Sequence, residues 1–211
     1  MVKSIAIVGG SSDIAKSTIS SMSADNYKFH VLVRDDSHTD ELSALGVSVV
    51  LGDATSEEDI KNFISGVKES GEIHAILHCV GSFAVRPPHA MNKEAFETVI
   101  STNLTSAFLT LSIAGKAMLS QGHGRMVFMS SVAGSLGLVN HEAISAAKGG
   151  IESMVRSAAA TYANRGLRIN AVAPGLTDTK LASPIMSNET ASQAASQKIP
   201  IKRVGQKEEV A

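Results

Sequence analysis

One cysteine, no tryptophan and two tyrosines among 211 residues leave little room for several kinds of chemistry. Cys79 alone cannot form an internal disulfide, and a lone thiol fits a reducing compartment. Aromatic residues amount to 4%, so a core must be assembled mainly from Val, Ile, Leu, Ala and Met. A net charge of -1 carries no electrostatic footprint for nucleic acid or an anionic membrane surface. No uninterrupted run approaches the roughly eighteen apolar residues of a membrane span. The opening "MVKSIAIVGGSS" breaks at glycines too early for a secretory signal. The expectation is a soluble, cytoplasmic protein that binds neither nucleic acid nor membrane. The seven histidines are scattered. His74 and His78 share an apparent strand, where four residues set them roughly 13 Å apart, too far for one metal ion. No metal site is expected.

What is present is ordinary globular material, 44% hydrophobic and 18% charged, enough for one domain over 1–211. Short apolar runs at 4–8, 29–33, 47–51, 73–79, 125–129 and 167–172 read as strands. They are nearly continuous in apolar residues, as strands covered on both faces should be. Longer amphipathic stretches, roughly 12–24, 56–69, 92–119, 140–163 and 185–197, read as helices. "TSEED" at 55–59 places a hydroxyl and then acids at a helix start, which suits capping and the helix dipole. Strand and helix in alternation imply an α/β fold of Rossmann type, a doubly wound parallel sheet with helices on both faces. The stretch from Pro174 to about Ser192 is the most irregular and reads as a mobile segment over a site.

In such a sheet, ligands bind beyond the carboxyl ends of the strands. There the first strand runs into "VGGSSDIAKS". Gly9 and Gly10 permit a tight turn, and the next helix then aims its unpaired N–H groups at the turn, a ready anion site. A Gly-Gly turn after a strand is more often only a turn, so this feature does not decide the function by itself.

The pieces "AIVGGSSDIA", "LGDAT", "LHCVG", "STNLTSAFL", "GRMVFMSSVAG", the lysine helix and "RINAVAPGLTDT" occur in an order and at spacings that resemble the short-chain dehydrogenase/reductase family. The resemblance implies a nicotinamide nucleotide site built from Gly9, Ser11, Ser12, Ile14, Asp53, Gly81, Lys148, Pro174, Gly175 and Thr179. It also implies conversion between a carbonyl and an alcohol, and a homodimer or homotetramer assembled through two long helices. NAD-using relatives tend to place an acid where Val33 stands; Arg34 follows and is suited to a 2′-phosphate, so NADP is favoured over NAD. The small residues Gly149, Gly150, Ala158, Ala159 and Ala160 fit either an interface between subunits or packing within one.

Of the family's catalytic group, Ser131 matches the serine, Asn103 the asparagine and Lys148 the lysine. The tyrosine's place is taken by Ile144. Tyr27 precedes the second strand, and Tyr162 lies roughly 21 Å along the Lys148 helix, so neither can substitute. His141, two turns before Lys148, is the one nearby group that exchanges protons near neutral pH; it could equally cap or pack at the helix start.

Other departures are Asp13 and Ala15 in place of two loop glycines, and "HCVG" where relatives carry Asn-Asn-Ala-Gly. Asp13 sets a negative charge near the expected diphosphate. Relatives continue past "KRVGQKEEVA" into a final strand, so the domain is expected to lack that strand, leaving Ile169–Val172 as an exposed sheet edge. The leading expectation is an NADP-dependent oxidoreductase acting on a small carbonyl or alcohol. The alternatives are a non-catalytic NADP(H)-binding sensor and an oligomeric scaffold.

Overall fold

The computed structural model describes residues 3–22 and 26–211. In chain order its elements are β1 (Lys3–Val8), α1 (Asp13–Ser21), β2 (Tyr27–Val33), α2 (Thr39–Ala44), β3 (Ser48–Leu51), α3 (Glu57–Glu69) and β4 (Ile73–His78). There follow α4 (Lys93–Ile100), a π-helical turn (Ser101–Thr105), α5 (Ser106–Gln121), β5 (Gly124–Met129), α6 (Glu142–Tyr162) and β6 (Leu167–Val172). The last part holds β7 (Thr177–Asp178), α7 (Ser183–Met186), α8 (Glu189–Lys198) and β8 (Gly205–Gln206). The expected first helix matches α1, except that its last residues, 23–24, lie outside the described residues.

Six strands form one parallel sheet in the order β3-β2-β1-β4-β5-β6. This is the doubly wound arrangement, with the connections departing in opposite senses from β1 and β4. Alternation along each strand supplies both faces. Ala6 and Val8 of β1 join one core with Ile60 and Phe63 of α3, Leu111 and Met118 of α5, and Ile151 and Val155 of α6. Ile5 and Ile7 join the other, with Ala15 and Ile19 of α1 and Leu42 of α2. Phe63 and Phe128 are the largest side chains wholly buried. With aromatics scarce, aliphatic residues and methionine fill the remainder.

Three elements differ from what the sequence pattern implies. The short helix α2 has one buried residue, Leu42, too little for a periodic signal. The 92–119 stretch is a continuous helix with a π-turn in its middle, and Asn103 sits in that turn. Lys93–Gln121 is long and apolar enough to cross a membrane by length and composition, a property that its serines and threonines hide from a search for unbroken runs. Its inward face, Ala107, Leu111, Ala114 and Met118, is built into the core. The region after Pro174 is also more ordered than expected. Thr177 and Asp178 pair in parallel with Gly205 and Gln206, which pins the segment between them at both ends.

Among the described residues β6 pairs only with β5, so it is an edge of the sheet. Three of the small residues of α6, Gly149, Gly150 and Ala158, have internal partners, whereas Ala160 is exposed. A Cβ on Gly149 would lie 3.1 Å from the Gly134 carbonyl oxygen, and one on Gly150 would lie 2.8 Å from Leu104. Ala158 belongs to the core.

Candidate active site

The loops after β1, β4, β5 and β6 meet at the carboxyl edge of the sheet. After β1, the N–H groups of Gly9 and Gly10 both donate to the Leu32 carbonyl, turning the chain sharply. Gly9 has φ 87, and a Cβ on Gly10 would stand 2.6 Å from Val31 Cβ. Packing alone therefore demands both glycines. Ser11 lies on the turn, and Ile14 packs against the core on the α1 face. Ser12 is the N-cap of α1 but makes no side-chain cap, whereas Ser56, Asn92 and Asn188 cap their helices. The first-turn amides of α1 are thus left for an anion.

Asp13 neither caps α1 nor turns to solvent. Its Oδ2 accepts from the Lys180 backbone N–H at 2.6 Å. Arg34, just after β2, holds its guanidinium in solvent, with 81% of the side chain exposed and a loose 3.9 Å contact to Asp35. Asp53 Oδ1 accepts from both the N–H and the hydroxyl of Thr55 at 2.8 Å, bending the chain into α3.

Under these loops lies a buried polar group. Lys148 is 6% exposed and donates from Nζ to the Met129 carbonyl at 2.8 Å. Burial pushes its ammonium pKa down to about 8, so it remains charged at neutral pH. Gly81 faces it: a Cβ there would lie 3.5 Å from Asn103 Oδ1, 3.6 Å from Lys148 Nζ and 3.9 Å from Leu181. Asn103 donates to the Val99 carbonyl and to Ser82 Oγ, and accepts from Ser82 N–H, so the π-turn and the β4 loop are locked together.

The β5 loop brings Ser131, whose Oγ accepts from Ala133 N–H at 3.2 Å. Its own O–H is then free to be aimed at an incoming carbonyl oxygen. The loop is fastened to α6 by Glu152, which accepts from Ser130 and Ser135 at 2.9 and 2.7 Å. Those two hydroxyls, Ser135 foremost, hold the Glu152 carboxyl below its usual range. Pro174 closes the neighbourhood by accepting from Val132 N–H, Gly175 follows, and Thr179 opens the helical turn Lys180–Ala182.

His78, in "HCVG", is fully buried. Ser106 Oγ donates to the Thr102 carbonyl at 2.6 Å, so His78 Nε2 must be the donor in its 3.0 Å contact with Ser106. This assigns the neutral Nε2–H form and leaves Nδ1 as a lone pair with no hydrogen-bond partner among the described residues. Burial, reinforced by the Lys148 charge, pushes the His78 pKa down to about 3. Cys79 beside it is pushed up to about 12 by burial and stays a neutral thiol.

Ile144 lies one turn before Lys148, buried in an apolar cluster with Val99, Ala133, Ala143 and Ala147. Neither tyrosine approaches: Tyr27 meets Phe29 edge to face and lies tilted against His74 at the start of β2, and Tyr162 ends α6. His141 is the N-cap of α6, with Nδ1–H donating to the Val139 carbonyl at 2.7 Å.

Lys148, Asn103 and Gly81 are thus gathered at one point, with Ser131 on the adjoining loop. Sequence reasoning misses Glu152, Ser82 and the Asp13–Lys180 bond. Glu152 carries a usable signal, being one turn beyond Lys148 on the same helix; the other two are long-range contacts without one.

The family model described as enoyl-(acyl carrier protein) reductase matches residues 9–211. The chain belongs to the short-chain dehydrogenase/reductase family. Within this oxidoreductase family it is 32% identical over 210 residues to the 3-oxoacyl-[acyl-carrier-protein] reductase MabA of Mycobacterium tuberculosis, covering 99% of this chain and 82% of that one. It is 36% identical over 161 residues to cis-4-hydroxycyclohexanecarboxylate dehydrogenase of Sinomonas cyclohexanicum, covering 75% and 64% of the two chains. Among solved structures, ElxO with NADP bound superposes with a TM-score of 0.92 at 25% identity, covering 100% of this chain and 88% of that chain. A variant of actinorhodin polyketide ketoreductase with NADPH gives 0.91 at 25% identity, covering 99% and 87%.

Proposed function

We propose that this short-chain family member is an NADP-dependent oxidoreductase acting on a small carbonyl or alcohol. The observation that carries the reading is the buried Lys148 ammonium, gathered with Asn103 at Gly81 and adjoining a serine hydroxyl free to donate. Holding a charge in so dry a place is costly unless a ligand uses it.

The nucleotide fits the residues present. The uncapped start of α1, with Gly9, Ser11, Ser12 and Ile14, would take the diphosphate; Arg34 would take a 2′-phosphate and Asp53 the adenine side. Gly81, Lys148, Pro174, Gly175 and Thr179 would line the ribose and nicotinamide end. The bound nicotinamide supplies or accepts the hydride. ElxO and the actinorhodin ketoreductase, similar over nearly the whole chain, hold NADP and NADPH, which supports NADP as this chain's cofactor over NAD.

In the reducing direction, Ser131 donates a hydrogen bond to the carbonyl oxygen and Lys148 stabilises the negative charge that grows on it. Asn103 keeps the π-turn and the β4 loop at the spacing Lys148 requires. Ile144 has no proton to give, so the proton goes to the alcohol oxygen from Nε2–H of a doubly protonated His141, whose Nδ1–H stays bound to the Val139 carbonyl and whose Nε2 proton is restored from solvent. His141→Ala should lower turnover by about 10²–10⁴-fold with NADPH affinity kept; unchanged turnover would remove histidine from the role.

The packing of Ile144 into an apolar cluster favours a second reading, a sensor that binds NADP(H) without turnover. A panel of carbonyls assayed with NADPH separates the two: slow but saturable oxidation of NADPH supports the enzyme, and tight binding with none supports the sensor. Phe96 and Phe108 on α4 and α5 are exposed, which supports a homodimer or homotetramer through these helices.

A further inference from the structure

Asp13 begins α1, and its side chain is only 11% exposed. Its partner is the Lys180 N–H, 167 positions along the chain. Lys16 Nζ approaches Asp13 at 3.6 Å but is itself held at 3.0 Å by both oxygens of Glu41. Lys180–Ala182 is a single helical turn. Leu181, in the middle of this turn, reaches the floor of the cleft, beside the point where Gly81 faces Asn103 and Lys148. Leu181 is nevertheless 52% exposed, so it lies across the cleft and is not embedded in a core. One short turn therefore has its Lys180 backbone at the start of α1 and its Leu181 side chain beside Gly81. The pairing of β7 with β8 holds the segment that precedes it.

We infer that Lys180–Ala182 is a strap across the nucleotide cleft and that the Asp13 carboxylate is its latch, the residue that sets nucleotide affinity by competing with the diphosphate. The inference rests on the nucleotide reading above. The uncapped first turn of α1 attracts an anion, and Asp13, bound to Lys180 beside those free amides, sets a fixed negative charge next to them. A carboxylate and a diphosphate have the same sign and cannot share one helix start, so nucleotide entry must swing Asp13 away and release Lys180. Apparent affinity is then reduced by the fraction of molecules in which the strap is open. Glycine at this position would neither accept from Lys180 nor repel phosphate.

The test uses the full chain with Asp13→Gly and Asp13→Asn, each checked by thermal unfolding. Asparagine keeps an oxygen for Lys180 but removes the charge and preserves the helix start if glycine weakens it. Hydrogen exchange without nucleotide should show the Lys180 amide exchanging about tenfold faster in Asp13→Gly, and NADPH should bind roughly tenfold more tightly. Asp13→Asn should fall between wild type and glycine in both. Unchanged Lys180 protection in a folded Asp13→Gly protein overturns the latch. So does an NADPH affinity equal to or weaker than that of a wild type that binds, and either result leaves the nucleotide reading standing. If exchange quickens yet no variant binds NADPH or NADPH is bound nowhere near α1, the nucleotide reading fails and the competition falls with it.

Discussion

Lys148 shows how the chemistry of one residue sets both stability and function. Its folded pKa, held down near 8 by burial, lies below the roughly 10.4 of an exposed lysine. A lowered base contributes stability that is full above the unfolded value and lost as pH falls through the folded one, so at pH 7 the ammonium is a burden on the fold. Lys148→Met should raise stability at pH 7 by about 1–2 kcal/mol and weaken NADPH binding, both readable by thermal unfolding in a titration series. A fall in stability would mean that the bond to Met129 outweighs the burial cost. Ile144→Tyr is the complementary change. If the rest of the site is intact, it should raise carbonyl reduction by about 10² or more, measured as NADPH oxidation at saturating substrate. No gain would mean that the pocket among Val99, Ala133 and Ala147 no longer admits a tyrosine in a working position. At this scale the sequence was half legible. The want of a hydroxyl at 144 is legible only through the family resemblance, which puts a tyrosine of the relatives at that position. The partner of Asp13 is not legible, because nothing local ties position 13 to position 180.

Among the elements, the π-turn at Ser101–Thr105 does the most to build the site. Its geometry is held from outside by the chain His78 to Ser106 to Thr102 and from inside by Asn103 to Ser82. The amphipathic pattern of 92–119 reveals the helix but not the turn, since a single widened turn moves the pattern by only one residue, within its ordinary irregularity. His78 gives this arrangement a pH signature. Its folded pKa of about 3 lies below the usual 6.5, so its contribution is complete above 6.5 and is lost as pH falls from there toward 3. Stability should drop by about 1.4 kcal/mol per pH unit across that window, and His30, also lowered by burial, adds the same sign. Denaturant unfolding between pH 7 and 4.5 should show a shallower slope in His78→Gln; an equal slope would place the protonation elsewhere. Glu152→Gln tests the fastening of the Ser131 loop. It should lower turnover several-fold with NADPH affinity intact, because it loosens the serine and not the nucleotide site.

For the molecule as a whole, the alternation of apolar strands with amphipathic helices was enough to read the sheet, since strands buried on both faces and right-handed crossovers leave few arrangements. The carboxyl edge of that sheet follows from the order of the strands, and with it the neighbourhood of Gly9, Gly81, Ser131 and Lys148. What escapes the sequence is how the loops close over that edge. Closure depends on contacts such as Asp13 with Lys180 and Leu181 with Gly81, which join positions remote in the chain. The proposed activity needs that edge to be a site for NADP. The most direct measurement is a titration of the protein with NADPH and, in parallel, NADH, followed by nicotinamide fluorescence, with Arg34→Ala alongside. Saturable NADPH binding, weaker NADH binding and a loss of that preference in Arg34→Ala are the predicted result. No binding of either nucleotide would contradict the account at its centre.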